Sequence, residues 1–416
     1  MIRTCADGVD IDLLCDTPED ERNPFRPGFG CPPLTLVGRA NEINSFLGAL
    51  RNGPGSEGSS YVITGARGTG KTVLVNEIAN ICRQAGFDVF SYSAKNGTLD
   101  DFIGDMRSYL SDLDKYDVEI SPDINIFGIG GSIGSIKKKA KDISSMRLDN
   151  LLSVVCSISK KGVIIVLDEV DSRFADDLVP IIKAYQSALS NKMNIYLLVS
   201  GLPASLRRFE QLPGVTFLHR SKHEHLSSLS YDDSIYAIVD TCLSSGGIAI
   251  DNKHAAIIAK ASCGYPFAIQ QLGSMAWNKA KKMGRAMIAR SDCDITIQSA
   301  YSIFSSQVLD IIFRDMSITE LKVVREAAML ADKSAIGAIR ISDLRAALDF
   351  TPQYMGIYRN RLMNDGILTI VGTKKQGEVR FAFPYMTEYV MNNIELIDYA
   401  ISTGKDHPLT DFIGNN

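Results

Sequence analysis

Gly65-Ala66-Arg67-Gly68-Thr69-Gly70-Lys71-Thr72 fits the pattern G-x-x-x-x-G-K-[ST] at every fixed position. An apolar run, Tyr61 to Thr64, precedes it, and an amphipathic segment, Thr72 to Cys82, follows. A strand that ends in such a loop and opens a helix is the context in which this pattern folds as a phosphate cradle. The glycines let successive backbone N–H groups turn inward, and the helix N-terminus adds its partial positive charge. Phosphates are therefore expected on the backbone of Gly65, Ala66, Arg67, Gly68, Thr69 and Gly70. Lys71 is expected to reach the β- and γ-phosphates as a point charge, and the Thr72 hydroxyl to coordinate Mg²⁺.

The second half of such a site is a strand ending in acids. Val163-Ile164-Ile165-Val166-Leu167 is wholly apolar and runs into Asp168 and Glu169, at the carboxyl edge where α/β sheets place their ligands. Asp168 is expected to hold Mg²⁺ through its hydration shell, and Glu169 to orient and deprotonate the attacking water. Asp171 reads as a helix N-cap or as a residue that supports the two acids from behind. The next apolar strand, Ile195 to Val199, ends at Ser200-Gly201-Leu202-Pro203, where the Ser200 hydroxyl is placed to meet a γ-phosphate. Arg207, Arg208 and Arg220 follow. Arg220 is the favoured candidate for the arginine that a neighbouring subunit supplies to the charge developing on the phosphoryl group.

Further out, strands and helices alternate. Val89 to Tyr92 reads as a strand, and Leu99 to Leu113 as a helix. Another helix has Leu148, Leu151, Leu152 and Val155 on one face, and Leu178 to Leu189 is helical again. The predicted fold class is α/β, a P-loop NTPase parallel sheet with helices on both faces. A helix with Ile43, Phe46, Leu47 and Leu50 on one face comes first, after Val37-Gly38-Arg39. Residues 1–22 read as a tail and 23–226 as the nucleotide-binding domain, with an inserted glycine-rich hairpin near 124–136. From 227 to 314 the pattern is helical, as a lid requires. Residues 315–396 read as three helices and a strand pair, Leu368 to Val371 and Val379 to Phe383, which is the order of a winged helix-turn-helix. The segment 397–416 reads as a C-terminal tail.

The bulk numbers agree with a multidomain globular chain: 416 residues, 45% hydrophobic and 22% charged. No apolar run approaches the ~18 to 20 residues needed to cross a bilayer, and the start has no signal-peptide core, so a cytoplasmic location without membrane attachment is expected. The eight cysteines are scattered, without a C-x-x-C pair, and read as reduced thiols. His219, His223 and His225 cluster, but no further ligand completes a metal set. A net charge of -4 argues against a globally basic nucleic-acid binder while leaving room for a local basic surface.

Together these residues resemble the AAA+ ATPases of the origin-initiator-like and archaeal-ATPase branches, which grade into the STAND signalling ATPases. The resemblance rests on Val37-Gly38-Arg39, the Gly65 to Thr72 loop, Leu167-Asp168-Glu169, Ser200-Gly201-Leu202-Pro203 and Gly264-Tyr265-Pro266, and covers about residues 23 to 285. A bacterial subgroup is similar also through Asn23-Pro24-Phe25, the Gly131-centred hairpin, the Phe217 to Leu229 segment and a C-terminal winged helix. The resemblance implies ATP and Mg²⁺ as ligands. It also implies adenine contacts from Leu36, Val37, Gly38 and Arg39, and a nucleotide-side position for Pro266. Two departures bear on activity: no arginine stands in the first turns of the Pro266 helix, and Ser200 replaces the asparagine or threonine usual at the first sensor. They imply slow, switch-like turnover.

Two outputs are open at this level. In the first, an ATPase couples nucleotide state to DNA. The helix Thr351 to Asp365 would present Gln353, Tyr354, Arg359, Asn360 and Arg361 to a groove, and the turn carrying Lys374 and Lys375 would lie beside the backbone. The segment 317–390 is only mildly basic, with ten Lys/Arg against eight Asp/Glu. Lys137, Lys138, Lys139 and Lys141 form the densest basic run and suit a phosphate backbone. In the second, a STAND-like switch self-associates with nucleotide state and acts on a protein partner.

Overall fold

The structure, a computed structural model, describes residues 22–28, 31–113, 146–245, 247–314, 316–335, 337–371 and 377–404. The hairpin expected near 124–136, Lys137, Lys138, Lys139, Lys141, Lys374 and Lys375 lie outside the described residues. The chain divides into two compact units. One comprises Arg39–Ala66 and Gly70–Ser227; the other comprises the chain up to Gly38, Arg67–Thr69 and Ser228 onward.

The first unit is an α/β layer structure. Five parallel strands, β1 (Ser60–Gly65), β2 (Asp88–Ser93), β3 (Val163–Asp168), β4 (Ile195–Gly201) and β5 (Lys222–Leu226), stand in the order β2-β3-β4-β1-β5. Strands β3 and β4 are buried along their whole length, which is why their sequences are continuous apolar runs instead of alternating ones. The helices are α1 (Ala40–Asn52), α2 (Lys71–Gln84), α3 (Thr98–Leu113), α4 (Leu148–Ile158), α5 (Ala175–Ser190) and α6 (Pro203–Glu210). One face of the sheet, with Val62, Val163, Ile165, Leu167, Leu197 and Val199, shares a core with apolar residues of α3, α4, α5 and α6.

The edge strand β5 is one to which the sequence pattern assigns no element. Its sequence Lys222-His223-Glu224-His225-Leu226 has no apolar alternation, and it is a strand because β1 supplies its backbone partners from Tyr61↔Lys222 to Gly65↔Leu226. A charged edge strand of this kind also discourages pairing with other chains.

The second unit begins with α7 (Tyr231–Ser245), α8 (Asn252–Ser262), α9 (Pro266–Lys282) and α10 (Arg290–Phe304). Ile238, Ile258, Leu272, Trp277, Ile288 and Cys293 build its core. Phe25 belongs to that core, not to the sheet domain that the sequence reading assigned it to. A Cβ at Gly273 of α9 would fall 2.3 Å from the Phe25 ring, so only glycine admits it. Asn23 fixes the same segment by bonds to Ser274 and Asn278.

The helical pattern expected over 227–314 holds here with a local change of winding: α10 passes into a π-helical turn, Ser305–Leu309, before α11 (Asp310–Arg314). Beyond it come α12 (Ile318–Asp332), β6 (Ile339–Arg340), α13 (Ile341–Ala347), α14 (Pro352–Asn364), β7 (Leu368–Ile370) and β8 (Glu378–Phe381), the strands forming an antiparallel sheet in the order β6-β8-β7. Two helices follow, α15 (Met386–Asn392) and α16 (Ile394–Thr403). In α16 Ile397 and Ala400 are buried, so the segment read as a tail from 397 starts as packed helix.

Candidate active site

The C-terminal ends of β1, β3, β4 and β5 share one edge of the sheet, where Lys71, Thr72, Asp168, Glu169 and Ser200 lie, whereas Arg220 precedes β5 and so stands at its opposite end. Strand β1 lies between β4 and β5, pairing Thr64 with Gly201 on one side and with His225 on the other. The loop that leaves it enters α2 through Gly70, which takes the left-handed φ of 87° that a side chain would resist. Lys71 Nζ donates to the carbonyls of Gly65 and Ala66, each at 2.8 Å. The ammonium is thereby held over the loop's own base. Thr72 follows in the first turn of α2, half-buried.

Asp168 closes β3 and is only 8% exposed. Its Oδ1 accepts from the Glu169 amide at 2.9 Å and from the hydroxyl of Ser200, which is fully buried on β4. Both bonds fall on one oxygen of the carboxylate. Glu169 has a left-handed φ of 56°, a conformation that costs a side-chain-bearing residue of order 1 kcal/mol or more and clusters at functional sites. That turn swings its carboxylate out of the sheet into solvent. Ser93 of β2, in register with Asp168, donates to Glu169 Oε2 at 3.3 Å.

Asp171 caps the short 3-10 helix Ser172–Phe174 by accepting from the Arg173 amide at 2.9 Å, as expected of an N-cap. Ser205 of α6 donates to its other oxygen at 2.6 Å. Burial alone would push this carboxyl up, but the Ser205 hydroxyl and the Arg173 amide and guanidinium outweigh it and hold it below the usual range.

The three clustered histidines separate by role. His219 Nδ1 and His223 Nε2 lie 3.4 and 3.8 Å from the two carboxylate oxygens of Glu210. Burial raises the Glu210 carboxyl, against the pull of His223, His219 and Arg207. His225 turns elsewhere, its Nδ1 3.1 Å from Thr64 Oγ1. Among the described residues no group of three or more His, Cys, Asp or Glu is arranged for a metal ion. A Mg²⁺ held by Thr72 and Asp168 would take most of its oxygens from phosphate and water, which is how this ion usually binds. Arg220 ends the 3-10 helix Thr216–Arg220 just before β5 and is exposed, as is Arg208, whereas Arg207 is half-buried.

Not every predicted contact residue is open. Arg39 is 5% exposed, and its guanidinium bonds to the Ser227 carbonyl at 2.7 Å and to Glu42 at 3.5 Å. The expected adenine contact is therefore not available to its side chain, which ties α1 to the end of β5. Val37, Gly38 and Pro266 belong to the second unit, where Gly38 has a φ of 70° and Pro266 opens α9 at its first position. On α14, Gln353, Tyr354, Asn360 and Arg361 are exposed and Arg359 is half-buried. Arg361 Nε is 2.7 Å from Glu320, a buried residue of α12. Ser93, Thr64 and His225 were not singled out as members of the site in the sequence, because only strand register shows what they face, and Ser205 was not because the packing of α6 brings it to Asp171.

Residues 35–199 match the AAA ATPase domain family (AAA_16), and residues 307–390 match DUF8462, a domain of unknown function. The chain is similar to the Aeropyrum pernix ORC2 protein solved as its ADPNP-ADP complexes, with 16% identity and a TM-score of 0.56 over 89% of this chain and 97% of that one. It is similar also to a Walker-type ATPase of Pyrococcus abyssi, with 14% identity and a TM-score of 0.55 over 86% and 96% of the two chains. No curated protein matches. At such identities the structural likeness speaks for the fold, a parallel sheet followed by a helical C-terminal region, and the match over 35–199 speaks for the chemistry. Residues 35–199 thus match an AAA ATPase domain, within a chain whose fold is similar to that of the Aeropyrum pernix ORC2 protein.

Proposed function

We propose that the Gly65 to Thr72 loop holds the phosphates of ATP, that Lys71 binds the β- and γ-phosphates, and that Glu169 orients and deprotonates the attacking water. Thr72 and Asp168 hold Mg²⁺ in this reading, and the ion supplies charge neutralisation at the β,γ-oxygens. Ser200 aims Asp168 with its one hydroxyl proton, and it meets the γ-phosphate from β4 by handing that proton over from the carboxylate when nucleotide binds. Arg220 of a neighbouring copy serves the developing charge. The observation that carries the reading is the Asp168 carboxylate bonded to both Glu169 and Ser200, on the strand next to β4, which itself pairs with the strand that opens the loop. Positioning and electrostatics of this kind are what phosphoryl transfer requires of a protein.

The nucleotide state is coupled to DNA through the C-terminal elements, read as a winged helix with α14 as its third helix. Three helices followed by a strand pair, with Gln353, Tyr354, Asn360 and Arg361 exposed on α14, support this. A second reading, a nucleotide-dependent switch acting on a protein partner, is favoured by the same helix: Arg361 is paired with Glu320, and Tyr354 and Ile357 are 41% and 60% exposed. Turnover of the wild type beside Lys71→Ala and Glu169→Gln, with and without duplex DNA at two salt concentrations, separates them. Turnover lost in both variants and raised by DNA supports the first. Tight ATP binding with no response to DNA supports the second, and turnover retained in Glu169→Gln refutes the assignment of the base.

A further inference from the structure

His225 occupies a place that the phosphate chemistry above does not use. Its backbone pairs with Thr64, the residue before Gly65, and its ring is 3.1 Å from the Thr64 hydroxyl. Side chains alternate along a strand, so His225 and His223 share one face of β5 while Glu224 faces the other way, toward Tyr61. His223 is engaged with Glu210 of α6 and with the Leu218 carbonyl at 3.0 Å. From α2 the charge that acts on the His225 ring is Lys71. Loss of water around the ring and the repulsion of that ammonium both hold the imidazole below its usual range, so at neutral pH it is uncharged beside a fixed cation.

We propose that His225, held by Thr64 at the mouth of the phosphate loop, is a second cationic ligand for the nucleotide phosphates, taking up a proton as they bind beside Lys71. This rests on the reading of Gly65 to Thr72 as the phosphate site. The cause is electrostatic. A polyphosphate cancels the Lys71 charge that keeps the ring neutral and adds negative charge of its own, and an opposite charge within a few ångströms favours the protonated form. The Thr64 hydroxyl meanwhile fixes the ring orientation through Nδ1 and leaves Nε2 to donate. Nucleotide affinity then rises as pH falls through the histidine range, and an imidazolium bonded to a phosphate oxygen contributes a charge-assisted bond.

The test is calorimetric titration of the full chain with a non-hydrolysable ATP analogue and Mg²⁺, in buffers of different ionisation enthalpy, at pH 6.5 and 8.5. The analogue's own phosphate titrates in this range, so the quantity read is the difference between the wild type and His225→Gln. Expected is proton uptake at pH 6.5 that falls in His225→Gln, with affinity about tenfold weaker there, the size of one charge-assisted bond, and near-equal affinities at pH 8.5. Equal proton counts and affinities would overturn the proposal. So would weakening by the same factor at both pH values, which marks a packing role. If His225→Gln does not fold, Thr64→Val, which frees the ring, is read in the same way. Lys71→Ala tests the underlying reading apart: a folded variant that still binds the analogue as well as the wild type refutes the phosphate site itself, whatever His225 does.

Discussion

The hydroxyl of Ser200 and the carboxylate of Asp168 are hydrogen-bonded between neighbouring strands, across the pairing of β3 with β4. One buried side chain therefore aims another, and the Glu169 amide completes the set. Ser200→Ala removes the donor and leaves a buried oxygen with one bond fewer, at a cost of about 1 to 3 kcal/mol in a denaturant melt. Turnover is expected to fall on the order of tenfold in steady-state assays, the rate equivalent of about 1.4 kcal/mol.

Glu169 carries a side chain in a left-handed backbone. Alanine keeps that strain, and glycine relieves it. Melts of Glu169→Gly and Glu169→Ala are expected to differ by about 1 kcal/mol with glycine the more stable, which inverts the usual order of the two residues. Both variants should lose turnover.

Asp171 has its carboxyl held below the ordinary range by Ser205 and Arg173 despite its burial. A lowered folded-state value means that the ionised form stabilises the fold. That contribution is complete above the unfolded carboxyl range and is lost as pH falls through the lowered value. Acid titrations of stability should therefore be shallower for Asp171→Asn than for the wild type below about pH 4, with the two curves parallel above pH 5.

Arg361 reaches a buried carboxylate, Glu320, which also caps α12 through Ser317. Because Arg361 is itself 46% exposed, Arg361→Ala should cost only about 0.5 to 1 kcal/mol, whereas Glu320→Ala should cost more by removing the cap as well. If α14 meets DNA, Arg361→Ala weakens duplex binding across sequences and lowers the salt slope by about one. Unchanged binding would leave the pairing with Glu320 as the role of Arg361.

The elements that position the candidate site are legible because they are local. Gly65 to Thr72 is one contiguous pattern between a strand and a helix, and Asp168 and Glu169 end a run, Val163 to Leu167, of the continuous apolar kind that a strand buried on both faces carries. What escaped is set by partners distant in sequence. Strand β5 has a polar sequence and exists through its register with β1. Ser93 belongs to the site through its pairing with Asp168 between neighbouring strands, and Phe25 joins the helical unit against Gly273, a glycine with no local turn to explain it, while Asn23 joins it through Ser274 and Asn278. The π-helical turn after Phe304 interrupts a pattern that remains helical in periodicity. Arg39 stands in the Val37-Gly38-Arg39 pattern, yet its side chain is turned inward to Ser227 and Glu42, partners that no local pattern specifies.

The interior position of β1 has a consequence for how ligand entry is felt. With β4 bonded along one side and β5 along the other, the strand beneath the phosphate loop cannot slide or peel without breaking two ladders at once. A base so fixed loses little freedom when it meets its ligand, so binding draws little on ordering entropy. If Gly65 to Thr72 holds phosphate as proposed, adjustment to it falls on the residues beyond the strand ends while the footing of the cradle stays in place.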